Sequence, residues 1–191
     1  IGFAPGWQRA MFALALVTAA GGFVFGGMTF LIPRLFEVRM QGISADIAAT
    51  GSLAAAIYVV AAFAQLLVGR QIDNRSIKPV LIFVACGQPV FLFLMAFYTN
   101  YNLFAVSLLA MGFVFGQIPI TDAVLSKYVP DQWRTKVLSI KFLINLMVGA
   151  FALITARYLL SSGSGFESVM QALAISGCIV VLAAFLLPKS V

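Results

Sequence analysis

The sequence has no histidine and little charge of either sign. Only 9% of its 191 residues are charged, whereas about 25% is usual in a soluble domain. Without histidine, the chain lacks the commonest general base and metal ligand, so we expect no enzyme activity, no metal site and no cofactor. The two cysteines, Cys86 and Cys178, lie in apolar segments, and we expect buried free thiols rather than a disulfide.

Apolar residues make up 62% of the chain. A soluble core of this size could not hide so much apolar surface, so the sequence predicts that the surrounding solvent is mostly lipid. The net charge of +6 would suggest a nucleic acid partner in a soluble protein. Here the cations are confined to short segments between apolar runs, so we interpret them as topology signals and expect no nucleic acid partner.

Six apolar runs have the length of about 20 residues that a helix needs to cross a bilayer. None of them alternates in polarity, which excludes membrane-spanning strands. The sequence therefore predicts an all-α membrane protein, with residues 1–191 forming a single bundle of six helices. The predicted spans are 10–32, 47–68, 79–98, 103–125, 137–160 and 167–187.

The basic residues predict the orientation of the bundle. With six spans, both termini lie on one side of the membrane, and that side carries nine of the twelve Lys and Arg residues. Cytoplasmic segments carry the excess of cations, so both termini should face the cytoplasm of a plasma membrane, the inner membrane in a bacterium. The nine cations are Arg9, Arg70, Arg75, Lys78, Lys127, Arg134, Lys136, Lys141 and Lys189.

A short motif occurs twice, in the first and fourth spans. The motif GFVFG occupies 22–26 and 112–116, and VAAFA at 60–64 resembles VGAFA at 148–152 in the second and fifth spans. Two matches in register predict that helices 1–3 and 4–6 are copies, and an odd number of spans per copy makes this a 3+3 inverted repeat. The alternative is coincidence, because short strings of apolar and small residues recur easily in such a chain. The glycines, spaced four apart, also favour close approach of a neighbouring helix.

The segment between the second and third spans, GRQIDNRSIK at 69–78, carries a family resemblance. It resembles the signature of the major facilitator superfamily, in which a glycine and, four residues later, an aspartate precede a cluster of basic residues. Gly69, Asp73 and Lys78 match, whereas Arg75 stands one place late and Ser76 replaces a glycine. A second segment, PDQWRTK at 130–136, resembles the P-x-x-x-R pattern found at the corresponding place in the same family.

The resemblance implies a fold of twelve spans in two halves, of which this chain is similar to one. The degenerate signature and the short tail after the sixth span favour the C-terminal half, and the abrupt start at Ile1 suggests a fragment. In the family the signature aspartate braces a helix of the opposite half and holds one conformation. The residues assigned to this conformational role are Gly69, where a tight turn is expected at the helix end, Asp73, Arg75 and Arg134.

The resemblance also implies that the first and fourth helices line a central cavity, whereas the second and fifth lie at the interface between halves. Spacing places four residues of the first helix on one face, and helix packing alone would also explain that stripe. They are Thr18, Gly22, Phe25 and Thr29. The candidate cavity residues are Thr18, Phe25, Thr29, Gln117, Thr121, Asp122 and Asn145. The candidate interface residues are Tyr58, Gln65, Lys141 and Gly149.

Two charged residues within spans have alternative interpretations. Asp122 is a candidate proton carrier, but it lies near the cytoplasmic end of its span, which favours a structural ion pair with Lys127, Arg134 or Lys141. Lys141 would attract an anion or extend to the cytoplasmic surface, and the second is favoured. Gln88, beside Pro89, is interpreted as part of a packing kink.

The predicted function is half of a secondary active transporter that moves a small solute by alternating access, with Asp122 as the candidate for proton coupling. Its expected partners are the lipid bilayer, the solute, and either another six-helix half or a second copy of the chain. The alternative is a six-span channel for small solutes, although the chain lacks the Asn-Pro pairs usual in such channels. Neither a G-x-S-x-G turn of a hydrolase nor a phosphate loop of an ATP-driven pump is present.

Overall fold

The computed structural model describes residues 2–42 and 46–188, so the predicted topology cation Lys189 lies outside the described residues. Within these residues the structure consists of six long helices without a strand, each long and apolar enough to cross a membrane. This confirms the predicted all-α membrane fold. The helices are α1 Trp7–Arg39, α2 Ile47–Asn74, α3 Ile77–Met95, α4 Asn100–Tyr128, α5 Asp131–Ser161 and α6 Gly165–Leu186.

The helices follow from the lipid environment, in which every backbone N–H and C=O needs a partner within the segment. The side chain of Asp46 accepts a hydrogen bond from the N–H of Ala48 at 3.3 Å and caps the start of α2. Three helices continue through a proline, at Pro33, Pro89 and Pro119. Membrane helices tolerate such residues because neighbouring groups satisfy the carbonyls that proline leaves free.

Two cations close the last turn of α6. Arg9 Nε donates a hydrogen bond to the carbonyl oxygen of Leu186 at 2.7 Å, and Lys78 Nζ donates to that of Phe185 at 3.0 Å. The last carbonyls of a helix have no partner inside it and carry its negative dipole end, so two cations stabilise them. These contacts tie the starts of α1 and α3 to the end of α6.

The helix pairs are consistent with a 3+3 repeat. Helix α1 packs mainly against α5 and α6, helix α4 packs mainly against α2 and α3, and α3 packs against α6. Exchange of the first three helices for the last three leaves these pairs unchanged. The central positions therefore belong to α1 and α4, whereas α2 and α5 lie at the outside and bury few residues.

The close approaches differ in depth between the two copies. A Cβ atom added to Gly26 would lie 2.4 Å from the Cα atom of Gly149, so α1 and α5 touch backbone to backbone. The equivalent Gly116 of α4 faces Val68 of α2, whose Cγ2 atom would be 3.0 Å away. In the repeat, the residue of α2 equivalent to Gly149 is Ala61 and not Val68. Ala61 lies seven residues, or about 10 Å, from Val68 along α2.

Two local predictions are wrong. Gly69 was expected to turn a helix end, but α2 continues past it to Asn74, and only Arg75 and Ser76 separate α2 from α3. The cysteines were expected to be buried, but both Cys86 and Cys178 are free thiols on exposed positions. In a membrane protein the lipid-facing surface is as apolar as the core, so apolar neighbours in the sequence do not indicate burial.

Two large apolar clusters and one small one fill the interior of the described chain, with a polar layer between the two large clusters. One large cluster contains the end of α1 and the start of α4, and the other large cluster contains the start of α1 and the end of α4. Between them lie Thr18, Gln88, Gln117 and Ser176, all buried. Polar groups in this position are costly unless they find partners, and this layer borders the candidate site.

Candidate functional site

A cavity of about 670 Å³ lies among α1, α4 and α5. Gly21 and Gly26 of α1 contribute backbone to its lining. Most of its wall is apolar, but six polar side chains also line it. They are Thr18, Thr29, Gln117, Thr121, Lys141 and Asn145.

The structure brings together six of the seven candidate cavity residues, namely Thr18, Phe25, Thr29, Gln117, Thr121 and Asn145. The three α1 residues share one face, as their spacing predicts. Phe25 also packs against Phe115 of α4, with ring centroids 5.2 Å apart. The seventh candidate, Asp122, does not line the cavity, but it contacts a residue that does.

An amide network fixes the orientation of Gln117. Its Nε2 atom donates to the carbonyl oxygen of Val17 at 3.2 Å, and its Oε1 atom accepts from Gln88 Nε2 at 2.6 Å. Gln88 Nε2 also lies 3.4 Å from the carbonyl oxygen of Phe113. Because both carbonyls can only accept, each amide nitrogen must face its carbonyl, and the orientation of the pair follows. Gln88 is fully buried and belongs to this network rather than only to a kink.

Lys141 turns into the protein instead of extending to the surface. Its ammonium group pairs with Asp122 Oδ1 and donates to Thr121 Oγ1 at 2.8 Å. Its side chain is 12% exposed, against 43% for Asp122. The prediction of an extended Lys141 is therefore wrong, because α4 offers an anion and a hydroxyl within its reach. The favoured ion pair of Asp122 is confirmed, with Lys141 as its partner.

The residues assigned to conformational change lie at the ends of α2 and α5. Asp73 and Arg75 are exposed, and the carboxylate of Asp73 makes no hydrogen bond or ion pair with any residue of 2–42 or 46–188. Arg134 pairs with Asp131 one turn earlier at 2.7 Å and donates to the carbonyl oxygen of Ser126 at 3.1 Å. Arg134 thus joins the start of α5 to the end of α4 inside this bundle.

The four residues assigned to the interface between halves are divided among different places. Lys141 and Gly149 line the cavity, and Gly149 is buried against Gly26. Tyr58 donates its hydroxyl to the carbonyl oxygen of Thr29 at 2.6 Å and so links α2 to α1. Gln65 is half-buried on α2.

The sequence interpretation missed part of the site. Phe30, Phe142 and Leu146 line the cavity, but in sequence they are indistinguishable from lipid-facing residues. Gln88, on the third helix, contacts Gln117. An amide side chain within an apolar span was the feature of the sequence that could have indicated this role. No metal-binding group of three or more His, Cys, Asp or Glu occurs within the part of the chain that the structure describes.

Comparison with known proteins gives one result for the whole bundle. Residues 14–191 match the sequence profile of the Major Facilitator Superfamily, and this match includes almost all of the six helices. No curated protein matches the chain. The match agrees with the family that the two short segments at 69–78 and 130–136 resemble.

Proposed function

The chain belongs to the Major Facilitator Superfamily, and from that membership we propose that it is one six-helix half of a secondary active transporter, the C-terminal half. The family consists of transporters rather than enzymes, and six apolar helices make the chain an integral membrane protein. In our proposal the chain moves a small solute by alternating access, in which one half rocks against the other around a shared site.

The cavity is the observation that carries this proposal. Six polar side chains line it in helices that are otherwise apolar, and two of them, Thr18 and Gln117, belong to the polar layer. Polar side chains within a membrane are costly and mark the paths of solutes and ions. The cavity lies among α1, α4 and α5, and the family fold supplies a second half to complete it. The partner is that half or a second copy of this chain.

Water access to the cavity tests the proposal. A single cysteine at Asn145 should react with a membrane-impermeant thiol reagent, after replacement of Cys86 and Cys178 by alanine. The matched control is a cysteine at Leu182, which is 67% exposed on α6 and should face lipid. Leu182→Cys should stay unmodified, because a lipid-facing thiol is out of reach of a polar reagent. If neither or both positions react, the cavity is not a solute path.

We propose that both termini face the cytoplasm of a plasma membrane. Nine of the twelve cations lie on the side of the termini, as the positive-inside rule requires of a cytoplasmic side. In the same cysteine-free background, a thiol at the exposed Ser76 should be labelled only from the cytoplasm. A thiol at the exposed Thr99 should be labelled only from outside. Labelling of both positions from one side would contradict the six-span orientation.

Asp122 and Lys141 are the proposed coupling pair of this half. Protonation of Asp122 would break the ion pair and free α4 from α5. In the complete transporter, Asp122→Asn should abolish the effect of a pH gradient on transport while protein levels stay normal. If the pH gradient still drives transport by Asp122→Asn at the original rate, Asp122 has a structural role alone.

Pairing with a second bundle has a separate test. Cysteines at Gln65 on α2 and at Ala150, the exposed neighbour of the buried Gly149, should crosslink to the other half or to a second copy. Solute flux in liposomes through a demonstrably monomeric chain would contradict the half-transporter proposal.

A further inference from the structure

The wall of the cavity has an uneven charge. Among the described residues that line it, Lys141 is the one charged side chain, and no carboxylate is among them. Asp122, which neutralises Lys141, lies outside the lining and is more exposed to the surroundings. A solute inside the cavity therefore meets a cation directly and the balancing anion only at a distance.

Lys141 retains binding capacity toward the cavity. An ammonium group has three hydrogens. One is donated to Asp122 and one to Thr121, whose hydroxyl in turn donates to the carbonyl oxygen of Ile118 at 2.9 Å. The third has no hydrogen-bond acceptor among the residues that the structure describes, and the ammonium nitrogen lies 6.0 Å from the centroid of the Phe142 ring. A buried ammonium group with a free hydrogen is a strong donor for an ionised acceptor.

Neutral donors lie on the same wall. Thr18, one of the lining residues, is 4% exposed, and its buried hydroxyl has no hydrogen-bond partner within residues 2–42 and 46–188. The oxygen of Gln117 is occupied by Gln88, whereas the nitrogen donates one of its two hydrogens to Val17. The remaining amide hydrogen is still available. The wall therefore holds neutral donors beside the Lys141 ammonium group, together with the Asn145 amide, which offers both donors and an acceptor.

From this arrangement we propose that the cavity binds an amphipathic organic anion, with the carboxylate of the solute on Lys141 and Thr18. The apolar part of the solute packs against Phe25, Phe142 and Leu146, which line the same space. The inference rests on the proposed function, because it names the substrate class of the same cavity. A carboxylate accepts from several donors at once, so it complements the Lys141 ammonium group and the neutral donors beside it.

Three probes of nearly equal size separate charge from shape. Benzoate, benzamide and benzylamine share an aromatic ring and differ in charge, and their binding to the purified full chain is measured by calorimetry. Benzoate should bind about tenfold more tightly than benzamide, because a charge-assisted hydrogen bond replaces a neutral one. Benzylamine should bind most weakly, since Lys141 repels it.

Variants assign the preference to Lys141. Lys141→Met should remove the preference for benzoate, whereas Lys141→Arg should retain it. Lys136→Met is the matched control, because Lys136 is an exposed lysine of the same helix that stacks on Trp133, outside the cavity. Asp122→Asn should tighten benzoate binding about tenfold, since it releases Lys141 from its internal partner. Should Lys141→Met fail to fold, the Asp122 and Lys136 variants still decide the outcome.

Several results would overturn the anion site. The anion site is ruled out if the chain prefers benzylamine, or if the three probes bind equally or not at all. It is also ruled out if Lys141→Met keeps the wild-type preference for benzoate, or if Asp122→Asn binds benzoate more weakly than the wild type. A cavity that reacts at Asn145→Cys but shows no preference for benzoate contradicts the anion site alone. A cavity closed to the thiol reagent contradicts the proposed transport function as well.

Discussion

Helices α1 and α5 are nearly equal in apolarity, with mean hydropathies of 1.8 and 2.2 over their most apolar stretches, but their surroundings differ. In α1, 56% of that stretch is buried, and in α5 only 11%. In water such apolar helices would both be driven into a core. In lipid the hydrophobic effect between helices is absent, so apolarity does not decide which helix lies inside.

Small residues form the contacts on the buried faces of both helices. The buried face of α1 is rich in alanine and glycine, and the three buried residues of α5 are Gly149, Ala152 and Ala156. These residues let backbones approach and increase van der Waals contact. The larger side chains of α5, such as Leu143 and Ile154, remain exposed on its other face. The contrast between the two helices therefore depends on close packing at a few positions.

The strongest test of the contrast is the contact between α1 and α5. Gly26→Ala should lower the free energy of unfolding by about 2–3 kcal/mol, because the new methyl group meets the Gly149 backbone, which cannot rotate away. The measurement is reversible unfolding in mixed micelles.

The matched control is Gly69→Ala on α2, where an added Cβ meets no atom within 4 Å. That variant should be neutral, or more stable by up to about 1 kcal/mol, because alanine favours helix over glycine. Equal destabilisation by both variants would mean that the close α1–α5 contact does not hold the bundle together.

An intermediate effect is expected in the polar layer. Gln88→Leu should cost about 1–2 kcal/mol of unfolding free energy, because Gln117 Oε1 loses its donor inside the protein. Gln65→Leu on the outer helix α2 should cost about 0.5 kcal/mol or less. The double variant Gln88→Leu/Gln117→Leu should lose less than the two single losses together. Additive losses would show that the two amides are energetically independent.

The smallest effect concerns the hydrogen bond between outer and inner helices. Tyr58→Phe removes the donor to the Thr29 carbonyl oxygen and should cost about 0.6 kcal/mol, the average for such bonds between membrane helices. Tyr158→Phe on α5, where the side chain is 70% exposed, is the control and should change nothing measurable. A Tyr58→Phe loss no larger than that of the control would leave packing alone to hold α2 to α1.

Much of the site could be predicted from residue type and spacing. Thr18, Phe25 and Thr29 fall on one face of any regular helix, and Thr121 and Asn145 are polar residues that a lipid-facing surface would not retain. The direction of Lys141 could not be predicted, because it depends on the distance to Asp122 on another helix. The depth at which Val68 meets Gly116 depends in the same way on how α2 lies against α4.

The sequence by itself determined the six spans and excluded membrane-spanning strands, because span length and lipid solvation are properties of each segment alone. Two short segments of the sequence also suggested the family. Only the tertiary structure decided which apolar helices lie inside, that Gln88 fixes Gln117, and that Lys141 faces the cavity. These features depend on contacts between helices. In lipid such contacts come from close packing and a few hydrogen bonds, which hydropathy along one chain does not record.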